Sequence, residues 1–308
     1  MAAPSIKLNN GESIPSIGLG TWQSKPEEVI NAVSYAIKEA GYRHIDCAWA
    51  YNNEKEVGEG IRASGVPRSE IFITSKLWCT YHSRVEECLD QTLANLGTDY
   101  LDLYLVHWPV ALNPQGSHPI FPMTAEGKRD VDLSWKLQDT WKQMEVMVKK
   151  GKVKAIGASN FSEKKLEEIL QTAEIVPAVD QLEIHLYNPQ HNLLAYLKTK
   201  GIVPQAYSPL GSTNSPLFKD EVVVELAKKY SAEPAHILLA HLAAKGIVIL
   251  PKSITPSRIL SNLKDTLEVI PKLTKEDLAR LDGVAAAGKQ KRFIMPPWGV
   301  DLGFENWG

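Results

Sequence analysis

The chain has 308 residues, with 34 lysines and arginines against 36 aspartates and glutamates and a formal net charge of −2. At 44% hydrophobic and 23% charged residues its composition is that of a globular protein, which excludes collagen-like, coiled-coil and disordered chains. So balanced a charge supplies no broad field for nucleic acid or an anionic membrane, and neither is expected as a partner.

The N-terminus, Met1-Ala2-Ala3-Pro4-Ser5-Ile6-Lys7, lacks the apolar stretch of a secretory signal, and no apolar run approaches the ~20 residues that span a bilayer. Cys47, Cys79 and Cys88 form no CxxC pair and leave one over in any disulfide scheme, which predicts a reducing, cytoplasmic setting. The histidines form no HExxH or HxH, so no metal site is expected.

Ser5–Gly20, with Asn9-Asn10-Gly11 at its centre, reads as a β-hairpin. Short apolar runs follow at His44–Ala48, Ile71–Ser75, Leu101–Val106, Val153–Ala158, Ala178–Leu182, Ile202–Ala206 and Ile247–Leu250. Helical patterns separate most of them, over Pro26–Ala40, Ser134–Lys150, Ser162–Gln171, Pro189–Lys200, Lys219–Tyr230, Pro234–Lys245 and Thr274–Val284. A further helix places Val85, Cys88, Leu89, Thr92, Leu93 and Leu96 on one face, with Ser83 and Glu86 as a capping box and Gly97 as its stop. Strands alternating with helices make βαβ units. Length alone allows two domains, but no Gly, Ser or Pro linker divides the chain. Seven strand runs, with a weaker eighth near Leu263, therefore predict a single-domain parallel (β/α)8 barrel over residues 1–308. Trp108–Leu133, Leu210–Phe218 and Ala285–Gly308 are long and aperiodic. Trp108, Phe121, Phe293, Trp298, Phe304 and Trp307 in the first and third make them walls of an apolar pocket.

In parallel barrels the reacting groups stand where strands end. The strand ends here carry Asp46, Lys76, His107, Ser159 with Asn160, Gln181, Tyr207 with Ser208, and Lys252 with Ser253. Any one of these alone reads as a cap or surface ion pair; seven in succession read as one polar rim. Asp46 keeps Lys76 charged, and a charged lysine near Tyr51 favours phenolate and lowers the tyrosine pKa. Tyr51 can then exchange a proton while His107 hydrogen-bonds a substrate carbonyl. No side chain carries a hydride, so a reduction needs an organic cofactor. A GxGxxG is missing after the first strand, whereas Pro251-Lys252-Ser253-Ile254-Thr255-Pro256-Ser257-Arg258 joins two cations, hydroxyls and a helix start, the makings of a phosphate site.

These residues resemble the aldo-keto reductase family over essentially the whole chain. Gly41-Tyr42-Arg43-His44-Ile45-Asp46-Cys47-Ala48-Trp49-Ala50-Tyr51-Asn52-Asn53-Glu54-Lys55-Glu56-Val57-Gly58 is similar to its most specific motif. Leu105–Pro109, Ile156–Phe161, Ala206–Gly211 and Leu250–Asn262 resemble four more. The resemblance implies a barrel that binds extended NADP(H) without a Rossmann fold and interconverts small carbonyl and alcohol or polyol substrates, with fungal and yeast members nearest in pattern. It implies Tyr51 as general acid tuned by Lys76 and Asp46, with His107 placing the carbonyl. It also implies Ser159, Asn160 and Gln181 on the carboxamide, Tyr207 under the nicotinamide, Lys252, Ser253, Thr255 and Arg258 on the 2′-phosphate, and Asn262 on adenine. Gly20, Thr21, Trp22, Asp46, Ser208, Leu210, Ser212 and Ile254 complete the expected cofactor contacts; Trp22, Trp49, His107 and Trp108 line the substrate pocket. A monomer or weak dimer is expected.

The chain departs from the family at Asp180, His185-Leu186 and Ser261, and Gln23 and Asn214 replace an ion pair that clasps the cofactor in some relatives, so this belt should open more readily. A non-catalytic binding protein on the same barrel is the competing class. Retention of all four active-site residues favours the enzyme, and His107 stands where steroid double-bond reductases carry glutamate.

Overall fold

The computed structural model describes residues 3–212 and 214–307. Met1, Ala2, Thr213 and Gly308, which belong to the N-terminal segment, the Leu210–Phe218 loop and the tail considered above, lie outside the described residues. A two-stranded antiparallel hairpin, β1 (Ser5–Lys7) and β2 (Ser13–Pro15), precedes an eight-stranded parallel sheet. The sheet runs β3 (Leu19–Gly20), β4 (His44–Asp46), β5 (Phe72–Leu77), β6 (Leu101–Val106), β7 (Val153–Ser159), β8 (Val179–Glu183), β9 (Val203–Tyr207) and β10 (Val248–Ile249), each paired with the next. A parallel bridge between Ile17 and Ile249, with the Gly18 amide donating to the Ile249 carbonyl at 2.9 Å, closes the sheet into a barrel.

Two corrections follow. The eighth strand is not near Leu263; it is Leu19–Gly20, too short to show a period and hidden at the end of the expected hairpin. Leu263 lies in a helix whose buried residues Ile259, Asn262, Leu263, Thr266 and Val269 follow helical spacing.

Ten α-helices are described, α1 (Pro26–Tyr35), α2 (Glu54–Ala63), α3 (Val85–Leu96), α4 (Leu137–Lys149), α5 (Glu163–Leu170), α6 (His191–Lys200), α7 (Glu221–Tyr230), α8 (Pro234–Ala243), α9 (Pro256–Val269) and α10 (Lys275–Asp282). α3 buries the six residues expected of it and stops at Gly97 in the left-handed region (φ 68°). Its capping box does not form, because the Glu86 carboxylate is drawn instead to Lys150 (2.6 Å) and Lys152 (2.8 Å). α2, which the sequence pattern missed, holds two glycines that look like breakers. They are packing residues: a Cβ on Gly58 would stand 2.2 Å from the Leu96 carbonyl oxygen, and one on Gly60 2.8 Å from that of Ile30.

The hairpin plugs the N-terminal end of the barrel. Leu8 and Ile14 pack with Phe72, Leu103, Ala155, Val179 and Val248, while Asn9 Nδ2 donates to the Pro177 carbonyl at 2.9 Å. Closure at that end leaves the C-terminal rim open, where the βα loops carry the polar residues.

Candidate active site

Alternation along the strands turns every second side chain into the barrel. β4 delivers Asp46 and β5 delivers Lys76 to one spot, where the Lys76 ammonium donates to Asp46 Oδ1 at 2.6 Å and to the Cys47 carbonyl at 2.7 Å. The lysine is fully buried and the ion pair dry. Tyr51 arrives on the helical turn Trp49–Tyr51 just past β4, its ring centroid 5.1 Å from the ammonium and 5.8 Å, edge to face, from His107 at the end of β6. Gln181 on β8 ties the same group together, its Nε2 donating to Asp46 Oδ2 and to Gln205 Oε1, each at 2.7 Å. Gln205 had no sequence signal, since a glutamine inside a strand run reads as outward-facing.

Burial would lower the Lys76 pKa, but the Asp46 carboxylate and the Tyr51 phenol outweigh it and raise it, so the ammonium is retained. For Tyr51 the outcome corrects the expectation. Burial pushes the phenol up to about 12, and the nearby lysine only partly reverses this, so Tyr51 holds its proton at neutral pH instead of being poised to ionise. Burial, reinforced by Lys76, drives His107 well below its ordinary value, leaving a neutral imidazole. A protonated phenol and a neutral imidazole are two groups able to donate hydrogen bonds to one carbonyl oxygen without bringing a second charge.

They face a cavity of about 1090 Å³ that is lined by Tyr51 and His107 at its floor and by every residue expected to contact cofactor: Gly20, Thr21, Trp22, Asp46, Ser159, Asn160, Gln181, Tyr207, Ser208, Leu210, Ser212, Lys252, Ser253, Ile254, Thr255, Arg258 and Asn262. Lys76 is the exception among the catalytic candidates, since it lies fully buried outside the lining, against Asp46 and the Tyr51 ring. Asn160 is held by its Nδ2 donating to the His107 carbonyl at 2.9 Å, and Tyr207 donates its hydroxyl proton to Asn160 Oδ1 at 2.7 Å. Gln23, Asn160, Ser208 and Asn214, all cavity residues, adopt left-handed backbone (φ 58°, 62°, 48° and 58°), a strain that clusters where loops are shaped around ligands. Gln23 and Asn214 both line the cavity, and as neutral amides they cannot form an ion pair.

The cavity fits a phosphorylated dinucleotide. Lys252 and Arg258 line one end with no carboxylate partner among the described residues, beside the first turn of α9, where Pro256 occupies an early position and no acidic residue stands. Free amides at a helix start plus two uncompensated cations suit a phosphate. Ser261 lines this end too.

Trp22, Trp108, Phe121 and Trp298 line the cavity as expected, with Trp78, Arg129, Ile294 and Pro296 in addition. Trp78 stands beyond the end of a strand run and carried no pattern of its own. Trp49 is corrected: it lies outside the lining, its indole N–H donating to Gln91 Oε1 at 2.9 Å and its ring packed on Tyr81. Phe293, Phe304 and Trp307 also leave the pocket wall. Phe293 packs on His185, and Phe304 and Trp307 flank the buried Arg292 guanidinium, 4.4 and 5.3 Å from their ring centroids. Asp180 and His185 sit behind the site, fully buried; burial raises the Asp180 carboxyl well above its usual range.

Residues 16–286 match the model of the aldo/keto reductase family. The chain is 49% identical to D-galacturonate reductase of Hypocrea jecorina over 99% of each chain, and 46% identical to glycerol 2-dehydrogenase (NADP(+)) of Saccharomyces cerevisiae over 95% of this chain and 94% of that one. Among solved structures, the aldose reductase of Schistosoma japonicum superposes with a TM-score of 0.89 at 38% identity, covering 99% of this chain and 98% of that one. With the barrel, the motifs and these matches in agreement, the chain belongs to the aldo/keto reductase family.

Proposed function

We propose that this chain reduces small aldehydes and ketones to alcohols with NADPH, Tyr51 giving the proton and His107 orienting the carbonyl. The observation that carries the reading is that Asp46, Tyr51 and His107, with Lys76 buried against them, open onto the same cavity as the unpaired cations Lys252 and Arg258. Bound NADPH supplies the hydride; the side chains do the rest. Ser159, Asn160, Gln181 and Tyr207 are grouped to fix a nicotinamide ring, and Lys252 and Arg258 to take the phosphate that distinguishes NADP from NAD. The NADP(+) in the name of the yeast relative agrees with that pair. His107, neutral, and Tyr51, protonated, together hold the carbonyl oxygen, and the phenol proton passes to that oxygen as negative charge develops on it. Lys76 stabilises the phenolate left behind, and Asp46 holds Lys76 in place.

The non-catalytic reading gains no support, since each of the four groups is present and in contact. The three cysteines, each buried as a free thiol, support a cytoplasmic location. No helix among the described residues is long and apolar enough to cross a membrane. The test is Tyr51→Phe: NADPH oxidation with an aldehyde panel should fall to background while NADPH still quenches protein fluorescence. Turnover retained within tenfold of wild type would refute Tyr51 as the acid.

A further inference from the structure

The cavity holds one more uncompensated cation, and it stands far from the proposed phosphate end. Arg129 belongs to the loop after β6, and Lys252 follows β10; in the closed ring of eight strands these two are four places apart, on opposite sides of the rim. No carboxylate lies within ion-pair distance of Arg129 among the described residues, and its neighbour Asp130 instead accepts from Asn113 Nδ2 at 2.9 Å. Its buried Nε has no acceptor, and Nη1 finds only the Met123 thioether at 3.2 Å. The guanidinium lies 4.5 Å from the Phe121 ring centroid, Phe121 meets Trp78 edge to face at 5.5 Å, and Trp78 meets His107 at 5.2 Å. Three ring contacts thus connect this cation with the proposed carbonyl-binding imidazole.

The loop is held rather than loose. Trp78 Nε1 donates to the Ile120 carbonyl at 2.7 Å and Thr80 Oγ1 to that of Pro119 at 2.8 Å. A second orphan lines the same cavity: the Trp298 indole N–H is buried without an acceptor, its ring 6.2 Å from Trp78. Arg129 and Trp298 both line the cavity, where an acceptor on a bound ligand can meet them. A fork of guanidinium N–H groups takes a carboxylate through two parallel hydrogen bonds.

We propose that the substrates of this site carry a carboxylate several carbons from the reacting carbonyl, and that Arg129 binds it. This rests on the carbonyl-reductase reading. Linear aldehydes ending in carboxylate, succinic and adipic semialdehyde, are compared with butanal and hexanal by NADPH oxidation. At one chain length or both, wild type should favour the carboxylated member by about tenfold or more in kcat/KM, less so at high salt. In Arg129→Met that ratio should collapse toward unity through KM, and Arg129→Lys should restore part of it. Reduction of alkanals with no preference at either length overturns the proposal and leaves the reductase reading standing. A variant that slows both members alike, ratio intact, also overturns it, by making Arg129 only a loop pin. If no aldehyde consumes NADPH, the reductase reading fails and takes the proposal with it.

Discussion

Lys76→Met removes the ammonium beside Tyr51 with little change of volume, and its effect follows from the geometry. Two unit charges interact by 332/(εr) kcal/mol; at the 5.1 Å between the ammonium and the phenol ring, with an effective ε of about 20, this is about 3 kcal/mol. Losing it shrinks the phenolate fraction at any given pH a few hundredfold, at about 1.4 kcal/mol per factor of ten. The assay is alcohol oxidation with NADP+ between pH 7 and 10, where Tyr51 must first lose its proton. Because burial holds the phenol up at about 12, the wild-type oxidation rate should climb about tenfold per pH unit across that range, while reduction, which uses the protonated phenol, stays flat. In Lys76→Met the oxidation line should run parallel and a few hundredfold lower.

Stability has to be separated from chemistry, since removing one partner of a buried ion pair costs about 3–5 kcal/mol. Asp46→Asn with Lys76→Met discharges both groups, so it should melt closer to wild type than the single variant and yet remain far slower than wild type, the lost Asp46 charge restoring only part of the phenolate. A single variant that oxidises alcohols within threefold of wild type, or a wild-type rate independent of pH over this range, would refute the coupling of Lys76 to Tyr51.

Arg258→Ala should raise the KM for NADPH by roughly tenfold to a hundredfold, the worth of one charge-assisted contact, and barely alter NADH use; equal effects on both would dissociate Arg258 from the 2′-phosphate. His44 and His82 are buried and held down at about 4, below the 6.5 of an exposed histidine, so their contribution to stability is intact above pH 6.5 and is lost as pH falls through 4. Each is worth up to roughly 3 kcal/mol in that window, and Tm followed from pH 7.5 to 4 should decline less steeply in His82→Gln than in wild type; identical slopes would count against a buried neutral His82.

What could be read from the chain was whatever repeats or contrasts along it. Short apolar runs and period-3.6 patterns mark the inner strands and most helices, and polar residues at the ends of those runs mark Asp46, Lys76, His107, Gln181 and Lys252. Other features depend on contacts between distant segments. Leu19–Gly20 is a strand because β4 pairs with it on one side and the Pro251 carbonyl accepts from its Gly20 amide on the other, and α2 tolerates two glycines because neighbouring helices crowd them. Trp49 turns to Gln91, while Trp78 and Arg129 reach the cavity, although all three lie in irregular segments where local pattern says nothing of direction. Charge behaves likewise. Sequence shows that a lysine can approach Tyr51, but the proton affinity of that phenol is decided by how much water the fold removes, and here desolvation outweighs attraction.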